Sequence, residues 1–327
     1  CRTMWTSAVN PPNGPRTMPQ LRPILLALLC TLCGSSAFAQ QEVMVSQYMF
    51  NGLFLNPAYA GSHHYTSASL LHRDQWVNME GAPRTSMLGI DGPVMGDRMA
   101  LGFTLVHDQI GVSRDLEMAG HYAYRIRLSQ GSQLAFGLKA GLSVYSARLS
   151  DLTYWDANDQ VFQGSIQNQL VGKFGFGMYW SNERSFVGLS VPTLYAADGS
   201  ITTQVAGALE NYFVQHYYLN AGHVFELNEH FDIKPSALVK YQPQAPVEAD
   251  VNCNVLYNDR FWLGVGYRTG DAVVGMLEYQ VNTHLRVGYA YDMTTSRLQR
   301  YSGGSHEVML GIDLGKDLVK IKTPRYF

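Results

Sequence analysis

The chain has 327 residues, 46% hydrophobic and 15% charged, with a formal net charge of -2 and a pI near 6.6. With 12% aromatic residues, it lacks the high charge and low aromaticity of a disordered chain. Its near-neutral balance argues against a nucleic-acid binder, and its mean hydropathy of -0.10 argues against a helical membrane protein. Neither number argues against a membrane β-barrel, whose strands give half their residues to a polar lumen.

Taken in order, residues 1–17 read as an upstream extension ahead of Met18, and residues 18–39 as a signal peptide. Arg22 supplies the positive n-region, Ile24 to Cys33 the apolar core, and Ala37-Phe38-Ala39 the small-x-small cleavage site. The apolar run is too short to cross a bilayer. Cleavage would leave Cys253 as the single cysteine, so neither a disulfide framework nor a zinc–thiolate site is expected. Residues 40–62 are too irregular for a strand, and Pro57 biases Asn56 away from helix. This segment is expected to be a strap or plug preceding the first strand.

Period-two alternation then dominates. Leu134, Phe136, Leu138 and Leu142 alternate with Ala135, Gly137, Lys139 and Gly141; Leu285, Val287, Tyr289 and Tyr291 alternate with Arg286, Gly288, Ala290 and Asp292. Strands are expected near 63–75, 84–92, 98–108, 115–128, 133–147, 171–181, 185–191, 213–226, 230–242, 246–257, 260–269, 271–280, 283–292 and 305–314. These runs suit a membrane crossing of about 9–11 residues better than the five or six of a soluble strand. Aromatic residues gather near strand ends, as in interfacial girdles. The expected fold is all-β: a transmembrane antiparallel barrel of about fourteen strands over residues 63–315, with a basic tail at 316–327. Asn258-Asp259, Thr269-Gly270-Asp271 and Gln130-Gly131 read as tight connections, and 148–170, 192–212 and 293–304 as long ones. Pro235 would break a ladder bond, so a bulge or strand end is expected there.

Chemistry-bearing motifs are weak. Gly188-Leu189-Ser190-Val191-Pro192 starts like a nucleophile elbow, but Pro192 replaces the last glycine, and the reading is a strand ending at Pro192. Asp156, Asn158 and Gln160 imitate a calcium loop without its glycine or its final glutamate. His63-His64 and His306-Glu307 lack helical metal spacing. No catalytic residue, metal or cofactor is expected. A triad assembled from different strands would be invisible in the sequence.

A resemblance runs along the mature chain. Gln47-Tyr48-Met49-Phe50-Asn51 with Asn56-Pro57-Ala58-Tyr59-Ala60-Gly61 resembles the opening signature of the PorP/SprF family. It continues through Arg73-Asp74-Gln75-Trp76, Gly81-Ala82-Pro83-Arg84-Thr85, Asp108-Gln109-Ile110-Gly111 and Val187-Gly188-Leu189-Ser190-Val191-Pro192. Gly266-Tyr267-Arg268, Gly288-Tyr289-Ala290-Tyr291-Asp292 and Gly303-Gly304-Ser305-His306-Glu307 complete it. The resemblance implies a fourteen-stranded outer-membrane barrel of the type IX secretion system of Bacteroidota. It implies a non-enzymatic role in exporting or anchoring a surface adhesin that carries a C-terminal sorting domain. It links members to gliding machinery and to periplasmic secretion components. The expected surroundings are outer-membrane lipid, with no nucleic acid.

On this reading Tyr154, Trp155, Phe162 and Tyr195 of the long loops are candidate partner contacts, since exposed aromatics anchor interfaces. Arg73, Arg268, Asp292 and Glu307 are expected to face the lumen or an interface, because a lipid-facing charge at mid-depth costs about 2–4 kcal/mol. A channel for small or hydrophobic molecules, and an outer-membrane lipid hydrolase, are the competing readings.

Overall fold

A computed structural model describes residues 43–63, 65–96, 98–128, 131–148, 166–197, 202–205, 208–211, 214–243 and 245–315. The leader, the tail after Gly315, and Tyr154, Trp155 and Phe162 lie outside these residues.

The alternating segments form fourteen antiparallel barrel strands. They are β1 (Thr66–Asp74), β2 (Arg84–Met95), β3 (Met99–Ile110), β4 (Ser113–Arg127), β5 (Gln133–Ala147), β6 (Ile166–Ser181) and β7 (Ser185–Ala197). Then follow β8 (Tyr217–His223, resuming at Phe225–Glu226), β9 (Phe231–Tyr241), β10 (Glu248–Tyr257), β11 (Phe261–Arg268), β12 (Ala272–Gln280), β13 (Leu285–Thr294) and β14 (Ser305–Leu314). Each strand pairs with its sequence neighbours, and β1 pairs with β14, so the ring closes and leaves no sheet edge for lipid to meet.

Side chains follow the pleat. Leu138, Leu142, Leu263, Val265 and Val308 project outward and are exposed, whereas Lys139, Ser143, Arg268 and Glu307 project inward and are buried. An exposed apolar exterior around a polar interior is the inverse of a soluble protein and suits hydrocarbon outside.

An even strand number places both ends of the barrel wall together, with Thr66 opposite Leu314. That lower end carries short turns at 128–132, 182–184, 227–230, 258–260 and 281–284. Asn258 and Asp259 both take positive φ, 51° and 53°, as a two-residue primed hairpin turn demands. The upper end carries the longer connections, 75–83, 148–165, 198–216 and 295–304. One of these contains a small hairpin, Thr202–Val205 with Ala208–Asn211.

Several boundaries differ from expectation. Strand β7 runs past Pro192 to Ala197, so Tyr195 stands in a strand opposite Phe174 rather than in a loop. Pro192, Thr193 and Leu194 bulge opposite the single residue Gly175, and the Pro192 carbonyl fills the space a side chain there would need. Strand β6 begins at Ile166, which shortens the preceding connection, and β13 extends to Thr294. Pro235 is neither a bulge nor a strand end. It lies within β9 opposite the interruption of β8, where Val224 turns its N–H to the Arg184 carbonyl.

Candidate functional site

The lumen holds the strap. Residues 43–63 descend through the barrel as three short 3-10 turns, Tyr48–Phe50, Gly52–Phe54 and Pro57–Tyr59. Asn51 and Asn56 open the second and third turns by accepting the N–H groups of Leu53 and Ala58, and Pro57 takes the first helical position, where its missing N–H costs nothing. The irregular sequence therefore encodes a compact rod rather than a strand.

Two walls grip this rod. On β5 to β7, Asn56 Nδ2 donates to the Met178 carbonyl at 2.9 Å, and Ser190 Oγ donates to the Leu55 carbonyl at 2.6 Å. The backbone approaches so closely that a Cβ on Gly137 would overlap Ala58, and one on Gly177 would overlap Asn56. Tyr59 packs edge-on to Tyr179 at 5.5 Å, and its hydroxyl shares a 3.1 Å hydrogen bond with His63. Lower still, the Gly61 N–H donates to Asp91 at 2.5 Å and Arg125 donates to the Ala60 carbonyl. On β10 and β11, Asn252 donates to the Tyr48 hydroxyl at 2.7 Å, and Phe50 lies against Trp262.

The top of the strap is tied by charge. The N–H groups of Ser46 and Gln47 donate to the two oxygens of Glu307, at 2.6 and 3.0 Å. Ser46 Oγ donates to Asp292 at 2.8 Å. Arg73 bridges the same two carboxylates, pairing with Glu307 and, at 2.8 Å, with Asp292. Arg268 extends the network to Asp250 at 3.2 Å, Asp271 at 3.2 Å and Asp292 at 3.3 Å. Buried charges persist only when paired and hydrogen-bonded, and these are. A second network on the opposite wall joins Lys139 and Lys173 to Glu117 at 2.5 and 2.7 Å, and Lys173 to Asp115 at 3.1 Å.

Beside and above the upper strap a vestibule of about 800 Å³ opens, reaching from Thr104, His121 and Lys139 on the wall up to the upper connections. Val43, Met44 and Phe54 face it from the strap, and its sides carry Lys173, Lys240, Arg268 and Asp271. Beside the strap, a cavity lined by Tyr48, Tyr59 and Lys234 measures about 20 Å³, room for about one water.

The motif residues thus separate by place. Gln47, Tyr48, Asn56, Pro57, Ala58, Tyr59 and Gly61 form the strap, and Arg73, Asp292 and Glu307 hold its top. Gln75 and Trp76 shape the β1–β2 connection, where Gln75 N–H donates to Pro83 and Trp76 N–H to Ser305 Oγ. Tyr289 and His306 face outward and share a 2.7 Å hydrogen bond. Tyr195 is exposed on the upper part of β7. Sequence reasoning missed Ser46, Asp250 and the Lys139–Glu117–Lys173 group. The detectable signal was charge on the inward, glycine-rich register.

One constellation resembles hydrolytic machinery. On the outer wall, Ser86 Oγ lies 2.9 Å from His72 Nδ1, and His72 Nε2 lies 3.4 Å from Asp74. Ser86 is held in ladders with both β1 and β3, so its backbone is committed to pairing rather than to an oxyanion hole. Arg84, beside it, turns to Asp74 at 3.4 Å. The line is incomplete for acyl transfer. Among the described residues, no group of three or more His, Cys, Asp or Glu residues could hold a metal ion.

Comparison with solved structures finds outer-membrane barrels at low identity. Omp33 of Acinetobacter baumannii is 7% identical, with 77% of this chain and 98% of that one covered and a TM-score of 0.44. A FadL homologue of Pseudomonas aeruginosa is 11% identical, with 81% and 92% covered and a TM-score of 0.41. Outer membrane phospholipase A of Escherichia coli is 11% identical, with 76% and 92% covered and a TM-score of 0.37. Likeness at this level transfers no activity. The search of curated proteins returned no match. The family model for the type IX secretion system membrane protein PorP/SprF matches residues 37–312. The chain therefore belongs to the PorP/SprF family and is an outer-membrane β-barrel component of the type IX secretion system.

Proposed function

We propose that this barrel is a non-enzymatic docking platform that helps export a surface protein and anchors it on the cell exterior. The observation that carries this reading is the filled lower lumen: the strap occupies it and is fastened from Ser46 to Gly61, while the free volume lies in the upper half, from the level of Thr104, His121 and Lys139 up to the connections. Short turns of outer-membrane barrels face the periplasm and long loops the exterior, which puts the vestibule outside. A plugged barrel with an outward-facing, mixed polar and apolar vestibule suits retention of a protein segment better than passage of solutes. The candidate partner contacts in this reading are Tyr195 and, outside the described residues, Tyr154, Trp155 and Phe162. The lower turns are the surface available to periplasmic secretion components. In this reading residues 1–39 are removed on export, and 40–62 remain as the strap.

The test is a pull-down from native outer membranes with a tag in an upper loop, after mild solubilisation and cross-linking. Recovery of a large surface protein with a C-terminal sorting domain is the expected result. Repeated recovery of the barrel alone, together with steady ion conductance in planar bilayers, would replace this reading with a channel.

A further inference from the structure

The outer wall is not uniform at its upper edge, and strand register makes the comparison direct. Across β14, β1, β2, β3 and β4 one rung consists of Leu310, Leu70, Leu88, Leu105 and Met118. Two residues higher the rung reads Val308, His72, Ser86, His107 and Leu116. Two residues higher again it reads His306, Asp74, Arg84, Gln109 and Arg114. At about 3.4 Å per residue, the exterior changes from wholly apolar to wholly polar within about 14 Å of strand. The hydrocarbon boundary must fall in that interval.

The opposite wall makes no such change. Its upper outward rung, across β10 to β13, is Val251, Tyr267, Val273 and Met293. The upper polar rung continues past β4 to Ser146 on β5 and Asn168 on β6, and its arginines stand on β2 and β4.

The chemistry of this sector favours an anion. Arg84 is 74% exposed in its side chain, His72 is 52% exposed, and Asp74 is the one carboxylate in these two rungs. Arg114 is exposed at the lip between the vestibule and the outer wall, one strand beyond Gln109. Adjacent strands lie about 4.8 Å apart, so Arg84 and Arg114 rise from strand positions about 10 Å apart on one rung, with Gln109 between them. That spacing matches a phosphorylated lipid headgroup lying over three strands, with its acyl chains on the leucine rung below. Guanidinium groups recognise phosphate through paired hydrogen bonds. The sector faces sideways, into the plane of the membrane, where a lipid reaches it directly.

We propose that the outer face of β1 to β4 is a binding site for a phosphate-bearing outer-leaflet lipid, with Arg84 and Arg114 holding the phosphate and His72 and His107 lining the headgroup. This site shares only Arg114 with the vestibule lip and does not depend on the partner.

The experiment is native mass spectrometry of the purified full-length barrel, titrated with phosphorylated lipid A or with its dephosphorylated form. Wild type and R84K/R114K should retain the phosphorylated lipid. The R84A/R114A variant should lose retention on the order of tenfold, as expected for removing two membrane-facing cations. Correct folding of each variant is read from heat-modifiable mobility. Equal retention of the dephosphorylated lipid by the wild type overturns the proposal even if the variant fails to fold. So does full retention by folded R84A/R114A. Displacement of the lipid by inorganic phosphate alone also overturns it, because the site would then read a free anion. Loss of the co-purified surface protein with lipid retention intact would reassign the sector to a protein contact and overturn it as well.

Discussion

The lower and upper halves of the lumen solve one problem in opposite ways. Below, the wall closes tightly on the strap: Asn56 bonds to β6, Tyr59 packs edge-on to Tyr179, the glycines of β5 and β6 let the backbone in, and Asp91 and Arg125 bond the strap's end. Above, the wall is held by paired charges and leaves open volume. Close packing tolerates no insertion and excludes water. Charges such as Lys173 and Arg268 that also face the open cavity can exchange partners. The lower half is built to stay shut, and in the proposed function the upper half receives a partner segment.

The sharpest test of that contrast removes the strap. Deleting residues 43–62 should turn an electrically silent barrel into a steady ion channel in planar bilayers. Silence in the deletion variant, or conductance in the wild type, would break the distinction between the two halves. Next in size is Glu307→Ala, which leaves Arg73 short of a buried partner and releases the N–H groups of Ser46 and Gln47. It should destabilise the barrel by about 3–5 kcal/mol in urea unfolding. Gly137→Ala should cost about 1–3 kcal/mol, because the new methyl group meets the strap backbone at Ala58. It should also give intermittent conductance as the strap shifts, whereas Glu307→Ala should not disturb the lower seal. The smallest effect belongs to Lys240→Ala at the vestibule wall, which removes a 2.5 Å pair with the partly exposed Glu248. Stability should change by no more than about 1 kcal/mol. Retention of the surface protein is the measurement in which this variant should fall below wild type.

The same contrast separates what was legible in the sequence from what was not. Outward alternation such as Leu263, Val265 and Tyr267 announces strands, and the strand count follows from it. Lys139 and Lys173 on the inward register announce a polar lumen. Period alone carries no register, so the meeting of both lysines with Glu117 could not be read. The strap was recognisable by its irregularity, yet its partners were not. Ser46 and Glu307 stand 261 positions apart and meet only because the ring closes. Pro192 misled as a strand end because proline normally terminates a ladder, while here a three-residue bulge over Gly175 absorbs it. Pro235 misled for a related reason: the gap it needs lies in the neighbouring strand.

The carboxylates that fasten the strap, Asp292 and Glu307, belong to β13 and β14, the last two strands in the chain. The strap leaves the barrel at its lower end and runs directly into β1, which β14 must join to complete the ring. A chain arrested before β13 can therefore neither close its wall nor tether its strap. Synthesis runs from strap to β14, so the earliest-made part of the barrel is secured by the latest. Sealing thereby becomes a readout of completeness: a barrel that holds its strap has already acquired its final strand.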